Sequence, residues 1–236
     1  MSDTIFDPKN IAIIGSSGAI GGALVSVVTK NFPSAQVHEF SRSGANGIDY
    51  DNEESIAHAA EMAAKEMALD LVIVTNGILH DDNISPEKSL RDLSADNFSR
   101  IFTVNTITPA LVAKYFIPKL NKESASRFAA LSARVGSISD NVLGGWYAYR
   151  ASKAALNMII KNAAIETARR NKQAVIVGLH PGTVDSNLSK PFQRNVPADK
   201  LFKPEFSAQK MLDALSQLTP EDSGKCFAWD GQQVQP

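Results

Sequence analysis

Two residues that can exchange a proton lie four positions apart, in the segment Tyr149-Arg-Ala-Ser-Lys153. In a helix this spacing places both side chains on one face, one turn apart. A free tyrosine has a pKa of about 10, and a neighbouring ammonium lowers it by favouring the phenolate. Tyr149 is therefore a candidate general acid/base that donates a proton to a carbonyl oxygen or takes one from an alcohol. Because this spacing also arises by chance, the interpretation depends on the residues around it.

A glycine-rich segment, Gly15-Ser-Ser17-Gly18-Ala-Ile20-Gly21, directly follows the apolar run Ile11–Ile14. Glycines at a strand-to-helix turn let backbone N–H groups approach a pyrophosphate at the helix N-terminus. The segment therefore predicts a nucleotide site.

The end of the second apolar run bears on the choice of cofactor. Ser41 and Arg42 occupy the tip, with no carboxylate next to the glycine turn. Glu39 is the nearby acid that would oppose this interpretation, unless strand alternation directs it elsewhere. An acid at this point binds ribose hydroxyls, whereas a base favours a 2′-phosphate. Arg42 thus favours NADP(H) over NAD(H), unless it is only a solvated loop arginine. Asp49, at the end of a following short strand, is placed to meet the adenine edge.

These residues need a scaffold, and short apolar runs alternate with longer amphipathic stretches along the chain. The runs lack polar alternation, as expected for strands covered on both faces. Predicted strands are Ile11–Ile14, Val37–Phe40, a short one ending at Ile48 and Asp49, Leu71–Val74, Phe128–Leu131, Val175–Leu179 and Cys226–Trp229. Predicted helices are Ile20–Lys30, Glu53–Ala68, Asn97–Leu120, Tyr149–Arg170 and Pro204–Leu218.

This order predicts an α/β fold with a doubly wound parallel sheet of the Rossmann type. The 236 residues fit a single domain spanning 1–236. The stretch Asn187–Phe206 has three prolines and no clear period, which predicts a lid over the substrate at 187–206.

Composition excludes several classes of protein. A net charge of −1 gives no field for nucleic acid or anionic lipid, and no apolar run approaches the length of a membrane span. One cysteine, Cys226, excludes a disulfide framework and a cysteine-based metal cluster, so no metal is predicted. With no secretory signal visible, the expected location is the cytoplasm.

With these motifs together, the chain resembles the short-chain dehydrogenase/reductase family over nearly its whole length, and it is similar to the branch of sniffer-like carbonyl reductases and C-factor. The matching residues are the glycine turn, Asp49, Asn76-Gly77, Asn105, Tyr149 with Lys153, and Pro181-Gly182-Thr183-Val184.

The resemblance implies roles for several of these residues. Asn105 would hold a helix kink and a water in a proton relay to Lys153, which would also bind the nicotinamide ribose. The resemblance also places Asn76 and Gly77 at the cofactor. Pro181, Gly182 and Val184 would line the nicotinamide, with Ser186 near its carboxamide or the diphosphate.

The chain departs from the family at the serine that orients the substrate. An ungapped match places Ala133 at that position, with Ser132 before it and Ser137 after it. Period-two alternation sends Ser132 to the opposite face from Ala133 unless the strand end is bulged. Either serine could act instead, and both stay candidates.

The predicted function is an NADP(H)-dependent oxidoreductase acting on a carbonyl or alcohol that is partly apolar. An NADP-binding sensor or signalling protein with weak catalysis is the alternative, and a nucleotide-sugar epimerase or dehydratase ranks below it. Apolar residues on more than one face of the helices around 97–120 and 149–170 predict a homodimer or homotetramer. They include Phe102, Leu111, Tyr115, Met158, Ile159 and Ile165.

Overall fold

The computed structural model describes residues 6–44 and 46–236. A seven-stranded sheet has the order β2-β1-β3-β4-β5-β8-β9, and all neighbours are parallel except β8 and β9. The strands are β1 Asn10–Ile14, β2 Gln36–Phe40, β3 Leu71–Val74, β4 Ser126–Leu131, β5 Ala174–His180, β8 Cys226–Ala228 and β9 Gln233–Val234. Two further short strands, β6 Thr183–Val184 and β7 Leu201–Phe202, pair with each other.

Helices cover both faces of this sheet. They are α1 Ala19–Asn31, α2 Glu53–Ala63, α3 Ala95–Phe102, α4 Thr108–Phe116, α5 Tyr147–Thr167 and α6 Pro204–Gln217. Apolar side chains of α1 and α6 pack in one core, and those of α2, α4 and α5 pack in a second core on the other face. The central strands β1, β3 and β4 are buried along their whole length. The predicted doubly wound α/β fold of the Rossmann type is confirmed.

The short strand predicted to end at Ile48 and Asp49 is wrong. Only a single bridge joins Ser41 to Gly47, and the Ile48 amide donates to the Ser41 carbonyl. The next amide, that of Asp49, donates to the hydroxyl of Ser55 rather than to a strand. Helix α2 also ends earlier than predicted, at Ala63 rather than Ala68.

The predicted helix Asn97–Leu120 is divided by a π-helical turn over Thr103–Ile107, which separates α3 from α4. A 3₁₀ turn at Ile117–Lys119 ends it. The extra residue of a π turn displaces the chain locally, and such turns are frequent at functional sites. Asn105 lies in the middle of this turn.

The segment predicted as a lid forms two 3₁₀ turns, Lys190–Asn195 and Ala198–Lys200, followed by β7. Its last residues, from Pro204 onward, belong instead to α6. The pairing of β7 with β6 fixes the end of this segment beside Thr183 and Val184.

Candidate active site

The glycine turn between β1 and α1 requires glycine at two positions. Gly15 has φ +89°, and a Cβ there would lie 2.5 Å from the Thr75 hydroxyl oxygen. A Cβ on Gly21 would lie 2.1 Å from the carbonyl oxygen of Gly15. The first turn of α1 contains no acidic residue. Because no carboxylate lies in its first turn, the start of α1 can bind a phosphate through its backbone N–H groups.

A cleft of about 380 Å³ adjoins this turn and continues towards the carboxyl ends of the central strands. It brings together the predicted cofactor residues Ser17, Gly18, Ile20, Gly21, Gly77 and Ser186. Its wall also contains His80, whose Nε2 lies 3.2 Å from the carbonyl oxygens of Asn187 and Leu188. The cleft therefore joins the phosphate-binding turn to the beginning of the segment predicted as a lid.

A second cleft, of about 400 Å³, lies between the glycine turn and the end of β2. Ser17 and Ser41 line it, as predicted for the adenosine end of the cofactor, but so does Glu39. Strand alternation does not direct Glu39 elsewhere, because at this strand end its side chain shares the cleft with the glycine turn. A carboxylate therefore does stand next to that turn.

Arg42 and Asp49 lie near this cleft without lining it. The Arg42 guanidinium carbon is 5.7 Å from the centre of the Tyr50 ring. Asp49 is exposed, and its carboxylate accepts a hydrogen bond from the Asp51 amide at 3.0 Å. Both side chains reach solvent at the adenosine end.

Two buried polar atoms at this end lack a hydrogen-bond partner among residues 6–44 and 46–236. They are the Asn76 amide oxygen and the Tyr50 hydroxyl. Burial raises the pKa of Tyr50, and the nearby Asn76 side chain opposes the shift, although the two groups do not reach hydrogen-bonding geometry. Buried polar atoms are normally paired, so unpaired ones beside a glycine turn fit a site for a polar ligand such as a dinucleotide.

The predicted catalytic pair borders a cavity of about 280 Å³. Tyr149 and Lys153 enter it from the first turns of α5. Lys153 is buried, and its ammonium donates to the Leu131 carbonyl at 2.8 Å while lying 5.8 Å from the centre of the Tyr149 ring. The predicted cofactor residues that share this cavity are Ile20, Asn76, Gly77, Pro181, Gly182, Val184 and Ser186.

Burial shifts the two catalytic groups away from their usual pKa values. It raises the pKa of Tyr149 to about 12 and lowers the pKa of Lys153 to about 8. The expected lowering of the tyrosine pKa by the ammonium is therefore wrong for the protein by itself, because desolvation of the phenolate dominates. Near neutral pH Tyr149 is a neutral phenol, which is the form that donates a proton.

Asn105 is fully buried, and its side chain is held on both sides. Its amide oxygen accepts from the Ile78 amide and its amide nitrogen donates to the Ile78 carbonyl, both at 2.8 Å. The amide nitrogen also lies 3.2 Å from the Ser152 hydroxyl, next to Lys153. The π turn thus ties the loop after β3 to α5 immediately behind the catalytic pair.

The two candidate serines are in different places. Ser132 and Ala133 line the catalytic cavity, and the Ser132 hydroxyl donates to the Asn157 amide oxygen at 2.6 Å. Ser137 does not line the cavity; its hydroxyl accepts from the Asp140 amide at 3.1 Å. Ser137 is thus occupied with its own turn.

Several residues of the cavity wall were not predicted. The Trp146 ring stands edge-on to the Tyr149 ring, with ring centres 6.3 Å apart. The centre of the Trp146 ring also lies 5.0 Å from the centre of the Phe192 ring in the lid segment. His180 is the last residue of β5 and directly precedes Pro181, so its position next to a predicted cofactor residue could have identified it as a site residue from the sequence. Trp146 carries less signal in the sequence, since its place depends on a turn of two preceding glycines with positive φ.

With this geometry described, comparison with known proteins gives a consistent result. The family model for short chain dehydrogenases matches residues 36–197. The C-signal of Myxococcus xanthus is 36% identical over 146 residues, which cover 62% of this chain and 82% of that protein. A 1-hydroxy-2-glutathionyl-2-methyl-3-butene dehydrogenase from Rhodococcus sp. strain AD45 is 32% identical over 191 residues, covering 80% and 78%.

Solved structures share the fold. The NADPH-bound carbonyl reductase from chicken fatty liver has a TM-score of 0.81 at 23% identity, covering 98% of this chain and 100% of that one. Carbonyl reductase Sniffer of D. melanogaster has a TM-score of 0.81 at 22% identity, covering 97% and 99%. The chain belongs to the short-chain dehydrogenase/reductase family of oxidoreductases, and this prediction is confirmed.

Among residues 6–44 and 46–236, no helix has the length and apolar character needed to cross a membrane. Within the same ranges, no three His, Cys, Asp or Glu side chains are grouped so that they could hold a metal ion.

Proposed function

We propose that this protein is an NADP(H)-dependent oxidoreductase that interconverts a carbonyl compound and its alcohol, with Tyr149 as general acid/base. The observation that carries the proposal is the joint position of Tyr149 and Lys153 on one cavity that opens towards the glycine turn. A proton donor, a cation and a nucleotide cleft then converge at the carboxyl ends of parallel strands, where α/β folds bind their ligands.

The cofactor would lie along the two clefts and end in the catalytic cavity. The adenosine phosphate of the cofactor would meet Ser41 and Arg42. Its diphosphate would meet Ser17, Gly18 and Ile20. Its nicotinamide would lie against Pro181, Gly182 and Val184, with Ser186 near the carboxamide or diphosphate. Asp49 would approach the adenine edge. NADP(H) is favoured over NAD(H) because Arg42 supplies a planar cation, and because the chicken reductase that shares this fold is NADPH-bound. Glu39 opposes this preference.

When bound, the nicotinamide supplies or accepts the hydride, which is chemistry that the protein itself does not perform. The Tyr149 hydroxyl donates its proton to the substrate oxygen during reduction. The Lys153 ammonium stabilises the phenolate that results and holds the nicotinamide ribose. Asn105 positions this pair through Ile78 and Ser152, and its part in a proton relay to Lys153 stays a prediction.

The substrate would be a small, partly apolar carbonyl or alcohol. Of the side chains that line the catalytic cavity, none is an acid, and Lys153 is the only lysine or arginine among the described residues of that wall. The lid segment adds Leu188, Phe192 and Val196 to the wall. That this segment closes over substrate, and that the protein acts in the cytoplasm, both stay predictions.

The direct test is turnover by the purified protein with a panel of aldehydes, ketones and quinones, followed as NADPH oxidation. We expect reduction of at least one panel member, with a higher kcat/KM for NADPH than for NADH. An NADP-binding sensor is the alternative that the missing family serine at Ala133 favours. Tight NADPH binding without turnover of any panel member would support the sensor and contradict the reductase.

A further inference from the structure

The three positions considered for a substrate-orienting serine supply no free hydroxyl beside Tyr149. Ala133 lines the wall of the catalytic cavity with a methyl group, and Ser137 lies outside it. Ser132 lines the wall but is 3% exposed, and its proton is committed to the Asn157 amide oxygen at 2.6 Å. A carbonyl oxygen that accepts one hydrogen bond from a tyrosine can accept a second, which would fix its orientation. None of these three residues has a free donor to supply it.

His180 offers such a donor on the neighbouring strand. It is the last residue of β5, whose Leu179 pairs with Leu131 and accepts a hydrogen bond from the Ser132 amide. This register places His180 beside Ser132 at the carboxyl edge of the sheet, and its side chain lines the same cavity as Tyr149. It is the only histidine among the described residues of that wall.

The ring of His180 is not satisfied by its surroundings. Its Nδ1 atom is buried, and it has no hydrogen-bond partner among the described residues. Burial and the nearby Arg134 lower its pKa to about 4, with Asp230 opposing the shift, so the ring is neutral near pH 7. A neutral imidazole carries one N–H donor and one acceptor nitrogen. An unpaired buried nitrogen destabilises the fold, and such groups are found where function uses them.

We propose that His180 donates a hydrogen bond to the substrate oxygen through Nε2, since its Nδ1 is buried, and so performs the orienting role that a hydroxyl at position 133 would otherwise have. This inference rests on the proposed reductase function. It makes His180 a substrate-binding residue rather than a proton donor, because Tyr149 remains the acid. The Ser132–Asn157 pair would then hold the strand end against α5.

The test compares His180→Phe, which keeps a ring but no N–H, with His180→Asn, which keeps a short donor. Kinetics would be measured with benzaldehyde, acetophenone and menadione, and NADPH affinity by fluorescence titration. We expect His180→Phe to lower kcat/KM for the carbonyl by about tenfold, the worth of one hydrogen bond, with the NADPH Kd unchanged. His180→Asn should retain more activity. His58→Asn, at an exposed histidine of α2, is the control.

A second variant makes the assignment specific. Adding Ala133→Ser to His180→Phe should restore most of the lost kcat/KM, because the new hydroxyl supplies the missing donor at the same oxygen. Unchanged kcat/KM in His180→Phe would overturn the proposal, as would an equal loss in NADPH affinity, which would assign His180 to the cofactor. A parent protein that reduces none of the three carbonyls would contradict the reductase function and His180's role with it. If His180→Phe does not fold, Ala133→Ser is measured alone and together with His180→Asn. The proposal then requires that the added serine raise kcat/KM more in the His180→Asn background than in the parent.

Discussion

At the scale of single residues, the site depends on burial more than on charge pairing. Lys153 is buried and donates to a backbone carbonyl, and no carboxylate pairs with it among the described residues. Its ammonium is therefore costly to the fold, which the lowering of its pKa to about 8 expresses. In the proposed mechanism, this lysine stabilises a negative charge that appears only during reaction, namely the phenolate of Tyr149.

Because burial of the Lys153 ammonium destabilises the fold, the first prediction concerns Lys153→Met. The buried ammonium binds its proton less strongly in the folded state, with a pKa of about 8, than in the unfolded chain, where the ordinary value is 10.5. The unfolded state then holds more protons between these values, so the stability of the parent should rise from about pH 8 to about 10.5. Lys153→Met should remove this rise, increase Tm at pH 7 and abolish reduction. Thermal unfolding across pH checks it; a lower Tm at pH 7 would contradict it.

The second prediction concerns the cofactor end, where Arg42 and Glu39 act in opposite directions. Arg42→Ala should weaken NADPH binding by about tenfold to 150-fold, because it removes a charge-assisted contact, and should leave NADH binding little changed. Glu39→Gln should strengthen NADPH binding and weaken NADH binding, since a carboxylate repels a 2′-phosphate and accepts from a ribose hydroxyl. Fluorescence titration with both cofactors measures this. Equal losses for both cofactors in Arg42→Ala would assign it a structural role.

Residue types and spacing were sufficient to predict that Tyr149 and Lys153 lie on one helix and that a glycine turn precedes α1, since each feature is local in the chain. The direction of Glu39 could not be predicted, because it depends on how β2 ends beside the glycine turn. The prediction that the pKa of Tyr149 is lowered was wrong for a related reason. The spacing indicates the neighbouring cation, but the degree of burial comes from elements distant in sequence.

At the scale of elements, the beginning of α5 is held by a residue from a distant loop. Gly144, Gly145 and Trp146 all have positive φ, and Trp146 is the only non-glycine residue with this backbone among the described residues. The backbone carbonyl of Glu87 accepts from the Trp146 amide at 2.6 Å, and its carboxylate accepts from the Ala148 amide at 3.2 Å. Glu87 is thus the cap that sets where the helix of Tyr149 starts.

The third prediction follows for Glu87. Glu87→Ala should lower the free energy of unfolding by about 1–3 kcal/mol, because it leaves the buried Ala148 amide without its carboxylate partner. It should also lower kcat, since Tyr149 lies one residue beyond Ala148. Glu87→Gln keeps an acceptor oxygen and should lose less of both. Urea denaturation and steady-state kinetics check this. Wild-type stability in Glu87→Ala would contradict the capping role.

Element types were predictable where the apolar pattern is long, as in β1, β3 and α5. The π turn at Asn105 was anticipated only as a kink implied by family resemblance, because an inserted residue leaves the helical period almost unchanged. The short strand at Ile48 is reduced to a single bridge, and the Asp49 amide that follows donates to Ser55 on α2 instead of to a strand. The apolar pattern gives no sign that a serine six positions further along will take this amide.

At the scale of the whole molecule, apolar side chains are exposed on the outer face of α5 and at the end of the π turn that precedes α4. Met158 is 62% exposed and Ile165 is 49% exposed, and both lie on α5 away from its buried stripe. Ile107, at the end of the π turn, is 50% exposed. By contrast, other apolar residues predicted at this surface are partly buried within the chain itself, so only part of the predicted surface is available to a partner. They are Phe102, Leu111, Tyr115 and Ile159.

The fourth prediction is that the protein forms a homodimer or homotetramer through this face, on α5 and beside α4. A helix that is apolar beyond its core-facing stripe is stabilised by a further partner. Multi-angle light scattering at micromolar concentration should give twice or four times the chain mass of 25.4 kDa. The double variant Met158→Glu with Ile165→Glu should shift it towards monomer, whereas Leu90→Glu, at an exposed leucine outside this face, should not. A monomeric parent would contradict the prediction.

The central claim is that Tyr149 is the acid of an NADPH-dependent carbonyl reduction, and Tyr149→Phe tests it most directly. The substitution keeps the ring against Trp146 and removes only the hydroxyl, so Tm and the NADPH Kd should stay close to those of the parent. General acid catalysis contributes about 10²–10⁴-fold, and kcat for a carbonyl that the parent reduces should fall by at least about that factor. Near-full turnover by Tyr149→Phe on that substrate would contradict the mechanism.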